Sequence, residues 1–235
     1  MPNACYIFDM DGTLTPSAQP IDASFRVDLS AFMSDRRVFF VSGSGYDQME
    51  SQLGPELCRQ AEAVFPCQAG QAYMEGRLAF SHQTDWPPDL FEVLEGIIRA
   101  SDWPRKAGAH IQDRGALVNC SVPGRKCSSE DRGLYVEWDS ERGERQQIAA
   151  RINGLFPGLD CTIAGQISVD ITRRGDGKHN LLNFIEGSES VSFFGDKCEP
   201  GGNDYSIAQA VSQRPLGVVY QVENWQDTAR ILKDA

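Results

Sequence analysis

The 235-residue sequence has no segment approaching the roughly 18 consecutive apolar residues that a membrane-spanning helix needs. Its amino terminus lacks a charged region followed by an apolar stretch, so neither export nor insertion is expected. The seven cysteines, scattered from Cys5 to Cys198, contain no CxxC pair and no Cys/His ligand spacing, and their odd number argues against a disulfide framework. A reduced, cytoplasmic setting follows as the expectation. Positive charge is scarce as well: 22 Lys and Arg stand against 33 Asp and Glu, a formal net charge of -11. That balance disfavours nucleic acid and anionic membranes as partners. An anionic ligand would have to be met by cations gathered locally. Internal repeats and low-complexity tracts are also missing.

The composition, 41% hydrophobic and 23% charged, is that of a globular chain able to bury a sizeable core, as one large domain or two small ones. Residues 4–8 form a short apolar run ending at a carboxylate, and residues 38–41 form a second ending at Ser42-Gly43; both read as buried parallel strands. Between them Phe25, Leu29, Phe32 and Met33 recur at helical spacing after the candidate caps Asp22 and Ser24. Met49, Leu53 and Leu57 repeat the period after the second run. The alternation returns late, with a strand at 191–194 before Gly195-Asp196, Ile207 and Val211 on a helix, a strand at 216–220 and a closing helix near Leu232. The middle differs. Leu90, Leu94, Ile97 and Ile98 mark one helix and Ile148, Ile152 and Leu155 a second, among alternating stretches at 107–112, 117–122 and 167–171. The predicted class is α/β: a parallel-sheet core from 1–81 and 176–235, interrupted at 82–175 by an α+β module with an antiparallel sheet and two helices.

In a doubly wound sheet, ligands collect at the carboxyl ends of the strands, where Asp9, Ser42 and Asp196 would all emerge. A carboxylate there can attack phosphorus to make an aspartyl-phosphate, but two anions repel, so such a site needs a divalent cation. Asp9, Asp196 and Asp204 supply hard oxygens suited to magnesium, and Asp11 is counted with them. Asp11, two residues past the candidate nucleophile Asp9, is also placed to act as general acid toward the leaving oxygen. Gly12-Thr13 allows a tight turn and offers amide and hydroxyl donors to phosphate oxygens, as Ser42-Gly43 or Ser44 would. Lys178 would neutralise charge on both the nucleophile and the phosphate.

Taken in order, Asp9-Met10-Asp11-Gly12-Thr13, Ser42, Lys178 and Gly195-Asp196 with Asn203-Asp204 resemble the four motifs of the haloacid dehalogenase superfamily. The resemblance implies a Rossmann-like core, an aspartyl-phosphate mechanism and a type IIB α/β cap in the insertion. A closer resemblance, to the eukaryotic-type phosphomannomutases, is carried by Asp11-Gly12-Thr13-Leu14-Thr15-Pro16, Gln52-Leu53-Gly54, Gly124-Arg125-Lys126-Cys127-Ser128, Gly165-Gln166-Ile167-Ser168-Val169-Asp170 and Phe193-Phe194-Gly195-Asp196-Lys197. It implies that Arg114, Arg125 and Arg132, with Ser168 and Asp170, hold the sugar and its second phosphate. Three arginines in an acidic chain can pair bidentately with phosphate oxygens. Gln166, Ser168 and Asp170 would alternate along a strand and face one side.

The chain departs from that family's pattern in three places. Ala18 stands where an arginine is usual, Ser42-Gly43-Ser44-Gly45 replaces Gly-Gly-Ser-Asp, and Cys67-Gln68-Ala69 replaces Glu-Asn-Gly. The implied activity is magnesium-dependent transfer between hexose phosphates, of phosphomannomutase type, with a hexose bisphosphate as activator and a homodimer formed through the cap. The alternatives are a sugar-phosphate phosphatase, in which water accepts the phosphoryl group, and a silent sugar-phosphate binding protein.

Overall fold

The computed structural model describes residues 4–185, 187 and 190–233. It divides into two compact units, Met1–His82 with Gly177–Ala235, and Gln83–Asp176. The chain opens with β1 (Ala4–Asp9), α1 (Ala23–Phe32), β2 (Arg37–Val41), α2 (Tyr46–Leu53), α3 (Pro55–Gln60), β3 (Ala63–Phe65), the short turn α4 (Pro66–Ala69), β4 (Gln71–Met74) and β5 (Arg77–Ser81). The inserted unit supplies α5 (Leu90–Ala100), β6 (Ile111–Asp113), β7 (Leu117–Ser121), α6 (Ser129–Arg142), α7 (Glu144–Leu155), β8 (Leu159–Ala164) and β9 (Ser168–Arg173). A 3-10 helix at Lys178–Phe184, β10 (Ser190–Gly195), α8 (Tyr205–Ser212), β11 (Gly217–Gln221) and α9 (Trp225–Lys233) return to the first unit.

The first unit is built on a sheet of order β11-β10-β1-β2-β3-β4-β5, parallel from β11 to β3 and closed by the antiparallel β4–β5 hairpin. Its central strands are apolar on both faces, as a sheet covered on both sides requires. Phe8, Val38, Phe40 and Phe194 point to one layer, where α1, α2, α3 and α9 pack, while Cys5, Ile7, Phe39, Val41 and Phe193 point to the other, filled by Leu181, Ile185, Ile207 and Val211. Phe8, Phe194 and Tyr220 occupy matching positions on β1, β10 and β11, and their rings stack at 4.7 and 4.4 Å. This aromatic row fixes the register that brings the three strand ends level.

The inserted unit is a four-stranded antiparallel sheet of order β6-β7-β9-β8 with three helices. Val118, Cys120, Val169 and Ile171 face the apolar cluster formed with Leu90, Leu94, Tyr135 and Ile152. The alternate residues Asn119, Ser121, Ser168, Asp170 and Thr172 are polar and still buried. A buried polar sheet face is the informative kind of exception.

Three expectations for this unit need correction. It carries three helices rather than two: α6 buries only Tyr135 and Asp139, so its sequence shows no apolar stripe to read. The stretch 107–112 is extended only from Ile111, because Gly108 turns with φ +75° and the amides of Ala107 and Lys126 bond Pro123 and Ala107 in a loop. Gln166 lies in the turn between β8 and β9, exposed, and so does not share a strand face with Ser168 and Asp170.

In the first unit the tightest local backbone is α4. Cys67, Gln68 and Ala69 all take left-handed dihedrals, with φ of 55°, 58° and 63°. Such residues normally avoid that region, at about 1–2 kcal/mol each. The compensation is visible: the Cys67 and Gln68 amides donate to the carbonyls of Ser44 and Ser42 at 2.9 Å each, so the turn braces the loop that follows β2.

At the other end of the chain, the Thr228 hydroxyl of α9 donates to the Thr13 carbonyl at 2.7 Å, and both residues are fully buried. Replacing Thr228 with Val would leave that carbonyl without its partner, so Thr228→Val is expected to lower unfolding stability by about 1–3 kcal/mol in urea titration. An unchanged midpoint would mean that this bond contributes nothing net.

Candidate active site

β1 carries apolar residues as far as Phe8 and then places the Asp9 carboxylate at its end, paired in register with Val41 of β2. Ser42 follows β2 directly and Asp196 follows β10, so three neighbouring strands deliver Asp9, Ser42 and Asp196 to one edge of the sheet. Past Asp9 the chain turns at once. Gly12 has φ +92°, its amide donates to the Thr15 carbonyl at 2.8 Å, and the Leu14 and Thr15 amides converge on the Met10 carbonyl. A Cβ on Gly12 would lie 2.5 Å from Asp196 Oδ2, so only glycine lets that carboxylate lie against the turn.

Lys178 is the electrostatic centre. Its ammonium, fully buried, donates to Asp9 Oδ1 at 2.5 Å and to Asp204 Oδ1 at 2.6 Å. Burial alone would push this lysine down, but attraction to Asp204 and Asp9 outweighs it and holds the group charged, above its ordinary range. Burial, and then the Asp204 carboxylate, push Asp9 well above the usual carboxylate range against the opposing pull of Lys178. Asp196 is likewise pushed up, by burial first, while Lys197 at 3.8 Å on the rim pulls the other way.

Ligand atoms of Asp9, Asp196 and Asp204 lie within 4.8 Å of one another. Three carboxylates around a single buried ammonium leave excess negative charge, and their hard oxygens are the donors a divalent cation takes. The residues therefore fit a metal ion. Asp11 does not join this group. Its Oδ1 is turned the other way, accepting from the Ala18 amide at 2.7 Å and from Gln52 Nε2 at 3.1 Å. Ala18 itself sits at φ 57°, so the residue that stands where the related family has arginine presents a backbone amide to Asp11.

The remaining first-unit residues differ in what they offer. Thr13 is buried and its Oγ1 has no hydrogen-bond partner among the described residues. Ser42 is buried and its Oγ accepts from the Ser44 amide at 3.0 Å, while Gly43 lies between them in the same loop. Sequence reasoning had assigned no role to Gln52. Its single amide nitrogen reaches Asp11, Thr15 Oγ1 and the Gln19 carbonyl, and the available signal was its place in the Gln52-Leu53-Gly54 segment.

In the inserted unit, Arg114 and Arg132 both come close enough to Arg125 to repel its charge, and Asp170 attracts it. Burial first, then Arg114, push the Arg125 guanidinium down to about 10. Asp170 and Ser168 share the buried polar face of the sheet, and Ser168 Oγ donates to the Ala164 carbonyl at 3.1 Å. Asn119 is the residue the sequence analysis missed here. It lies opposite Asp170 on β7 and bridges it to Arg125, and the available signal was a polar residue in the middle of an apolar strand.

The family model for eukaryotic phosphomannomutase matches residues 28–235. The chain is 31% identical over 243 residues to a phosphomannomutase of Saccharomyces cerevisiae, covering 99% of this chain and 94% of that protein. It is 30% identical over 237 residues to phosphomannomutase 1 of Homo sapiens, covering 95% and 88%. Among solved structures, the C-terminal domain of the C. albicans trehalose-6-phosphate phosphatase superposes with a TM-score of 0.68 at 12% identity, over 98% of this chain and 91% of that one. A sugar phosphatase of haloacid dehalogenase subclass IIB gives 0.59 at 15% identity over 98% of both chains. The structural likenesses establish the fold, that of a haloacid dehalogenase core with an inserted α+β unit. The sequence relationship spans both units, and by it this chain belongs to the eukaryotic phosphomannomutase family.

Proposed function

We propose that the chain is a magnesium-dependent phosphohexose mutase that interconverts mannose 1-phosphate and mannose 6-phosphate through an aspartyl-phosphate on Asp9. The observation that carries this reading is the Asp9 carboxylate, buried at the tip of the central strand against Lys178 and within one acidic group with Asp196 and Asp204. The full-length relationship to proteins named phosphomannomutase supports the choice of substrate.

In this reading an Asp9 oxygen forms the bond to phosphorus as the bond from phosphorus to the sugar oxygen breaks, and Asp11 gives that oxygen its proton. Asp11 then takes a proton from the sugar hydroxyl that receives the phosphoryl group back. Lys178 stays charged and offsets the nucleophile and the transferring group. A magnesium ion held by Asp9, Asp196 and Asp204 would supply further charge neutralisation for the phosphate. Thr13, with its unpartnered hydroxyl, and the loop of Gly12, Ser42 and Gly43 would bind phosphoryl oxygens. Arg114, Arg125, Arg132, Ser168 and Asp170 would hold the sugar and its non-reacting phosphate, and a hexose bisphosphate would prime Asp9. Seven free cysteines agree with a cytoplasmic setting. No helix among the described residues is long and apolar enough to cross a membrane.

A second reading, a sugar-phosphate phosphatase, shares the first step and differs in the acceptor. It is favoured by Ala18, which leaves no side-chain cation beside Asp11 in the position where the family carries arginine. A silent binding protein would have no use for both Asp9 and Asp11 in this arrangement.

Incubation of the protein with magnesium, mannose 1-phosphate and a hexose bisphosphate is expected to yield mannose 6-phosphate, with inorganic phosphate a minor product. Phosphate release equal to all turnover would replace the mutase with the phosphatase. Asp9→Asn is expected to lower either activity by roughly 10⁴-fold or more and to abolish the beryllium fluoride adduct. Magnesium at about 100 times its dissociation constant should stabilise the parent by about 2.7 kcal/mol in thermal unfolding. Asp196→Asn should lose most of that shift, and an undiminished shift would place the ion elsewhere.

A further inference from the structure

The buried polar face of the inserted sheet holds an arrangement with a consequence for the arginines. Asn119 is 4% exposed, and both ends of its amide are engaged: Nδ2 donates to Asp170 Oδ1 at 2.7 Å, and Oδ1 accepts from Arg125 Nη2 at 2.5 Å. A guanidinium has five N–H donors. Among the described residues, the bond to Asn119 is the only one that the Arg125 guanidinium makes, and its Nε is buried with no acceptor at all. The backbone around it is pinned. The Arg125 amide donates to the Ala109 carbonyl at 2.9 Å, and a Cβ on Gly124 would lie 2.3 Å from the Ala107 carbonyl oxygen.

Two consequences follow from the chemistry. A buried arginine beside an aspartate ordinarily forms a direct ion pair, which satisfies the cation and removes it from use. Here a neutral amide stands between the two, bonded to both, so that the acid is satisfied without touching the base. We propose that Asn119 is a positioning residue that keeps Arg125 out of a direct ion pair with Asp170, so that its guanidinium remains available, with Arg114 and Arg132, to receive a phosphate dianion. The identity of that dianion as the second phosphate of a hexose phosphate rests on the function proposed above; the insulation does not.

The test uses the full chain with Asn119→Asp, which preserves shape and the acceptor for Arg125, removes the donor to Asp170 and adds a negative charge between the two. The KM for mannose 1-phosphate should rise by about tenfold or more while kcat changes by less than about threefold, the loss expected of one charge-assisted contact. The magnesium-induced thermal shift should be unchanged, which a general loss of structure would not permit. Sulfate supplies the independent arm. It should raise the melting temperature of the parent in a manner abolished by Arg125→Met, and Asn119→Asp should abolish it equally. A parent without an Arg125-dependent sulfate shift, or an Asn119→Asp variant that keeps it, overturns the proposal. If the parent forms no mannose 6-phosphate yet the sulfate arm behaves as expected, the mutase reading fails and the insulating role stands. Should Asn119→Asp not fold, Asn119→Ser carries the same comparison, since its hydroxyl is too short to bridge both partners.

Discussion

An ammonium with no exposure to water, donating to two carboxylates from distant parts of the chain, is the constraint around which the first unit is arranged. Asp9 belongs to the first strand, Lys178 to the segment that returns from the insertion, and Asp204 to the loop after β10. Removing any one of them would leave a buried charge without its partner, which costs several kcal/mol. The chain can therefore close its first unit only by bringing the residues on either side of the insertion together. The same bonds keep Lys178 protonated and Asp9 aimed, so the folding requirement and the proposed chemistry depend on one contact. That contact does not balance the site: the third carboxylate, Asp196, is left to a rim lysine at 3.8 Å and, in the proposed enzyme, to a metal ion.

The backbone around this centre is held in place by strain that is compensated locally. The left-handed run at Cys67-Gln68-Ala69 occurs where the related family has Glu-Asn-Gly, and asparagine and glycine are the residues that adopt such dihedrals most readily. This chain adopts left-handed dihedrals without those residues, and the two amides it directs at the Ser42 and Ser44 carbonyls are what it gains. Ala18 repeats the pattern. The arginine side chain is absent, yet a left-handed backbone there delivers an amide to Asp11. In both places hydrogen bonds from the main chain hold the left-handed geometry although the residues are not glycine.

Which features were legible in the sequence follows from the range over which each is determined. The β1 and β2 strands, the helices α1, α2 and α5, and the return through β10, α8 and β11 are dictated by local periodicity and by turn residues, and they could be read directly. The ends of those strands carry Asp9, Ser42 and Asp196, so their placement along one edge of the sheet came with them. α6 was invisible because it buries too few residues to have a stripe. β5 was invisible because all five of its residues are exposed. Asp11 was placed with the metal-binding acids because spacing alone cannot show which way a side chain turns; Gln52, forty-one residues later, and Ala18 decide that. Thr228 acts through one long-range bond and Asn119 through a bridge from Arg125 to the distant Asp170, and a polar residue within an apolar strand shows that a partner exists without showing which.

An acidic chain that handles phosphorylated sugars faces a problem of charge allocation, and the two units solve it in opposite ways. In the first unit the cation is engaged by its neighbours: Lys178 bonds both Asp9 and Asp204, and in the proposed enzyme further attraction for an anion would come from backbone amides, the Thr13 hydroxyl and a metal ion. In the second unit one cation, Arg125, reaches the nearby acid Asp170 only through the Asn119 amide. Burial and the neighbouring arginines push Arg125 down to about 10 against the opposing pull of Asp170. A dianion arriving there gains from three guanidinium groups at once and relieves their mutual repulsion, so binding would be strong although the net charge of the protein is -11. Were Asn119 a second carboxylate, the repulsion would already be relieved before the substrate arrived, and the same number of arginines would bind it weakly. The neutrality of one buried amide thus decides whether three positive charges serve the fold or the ligand.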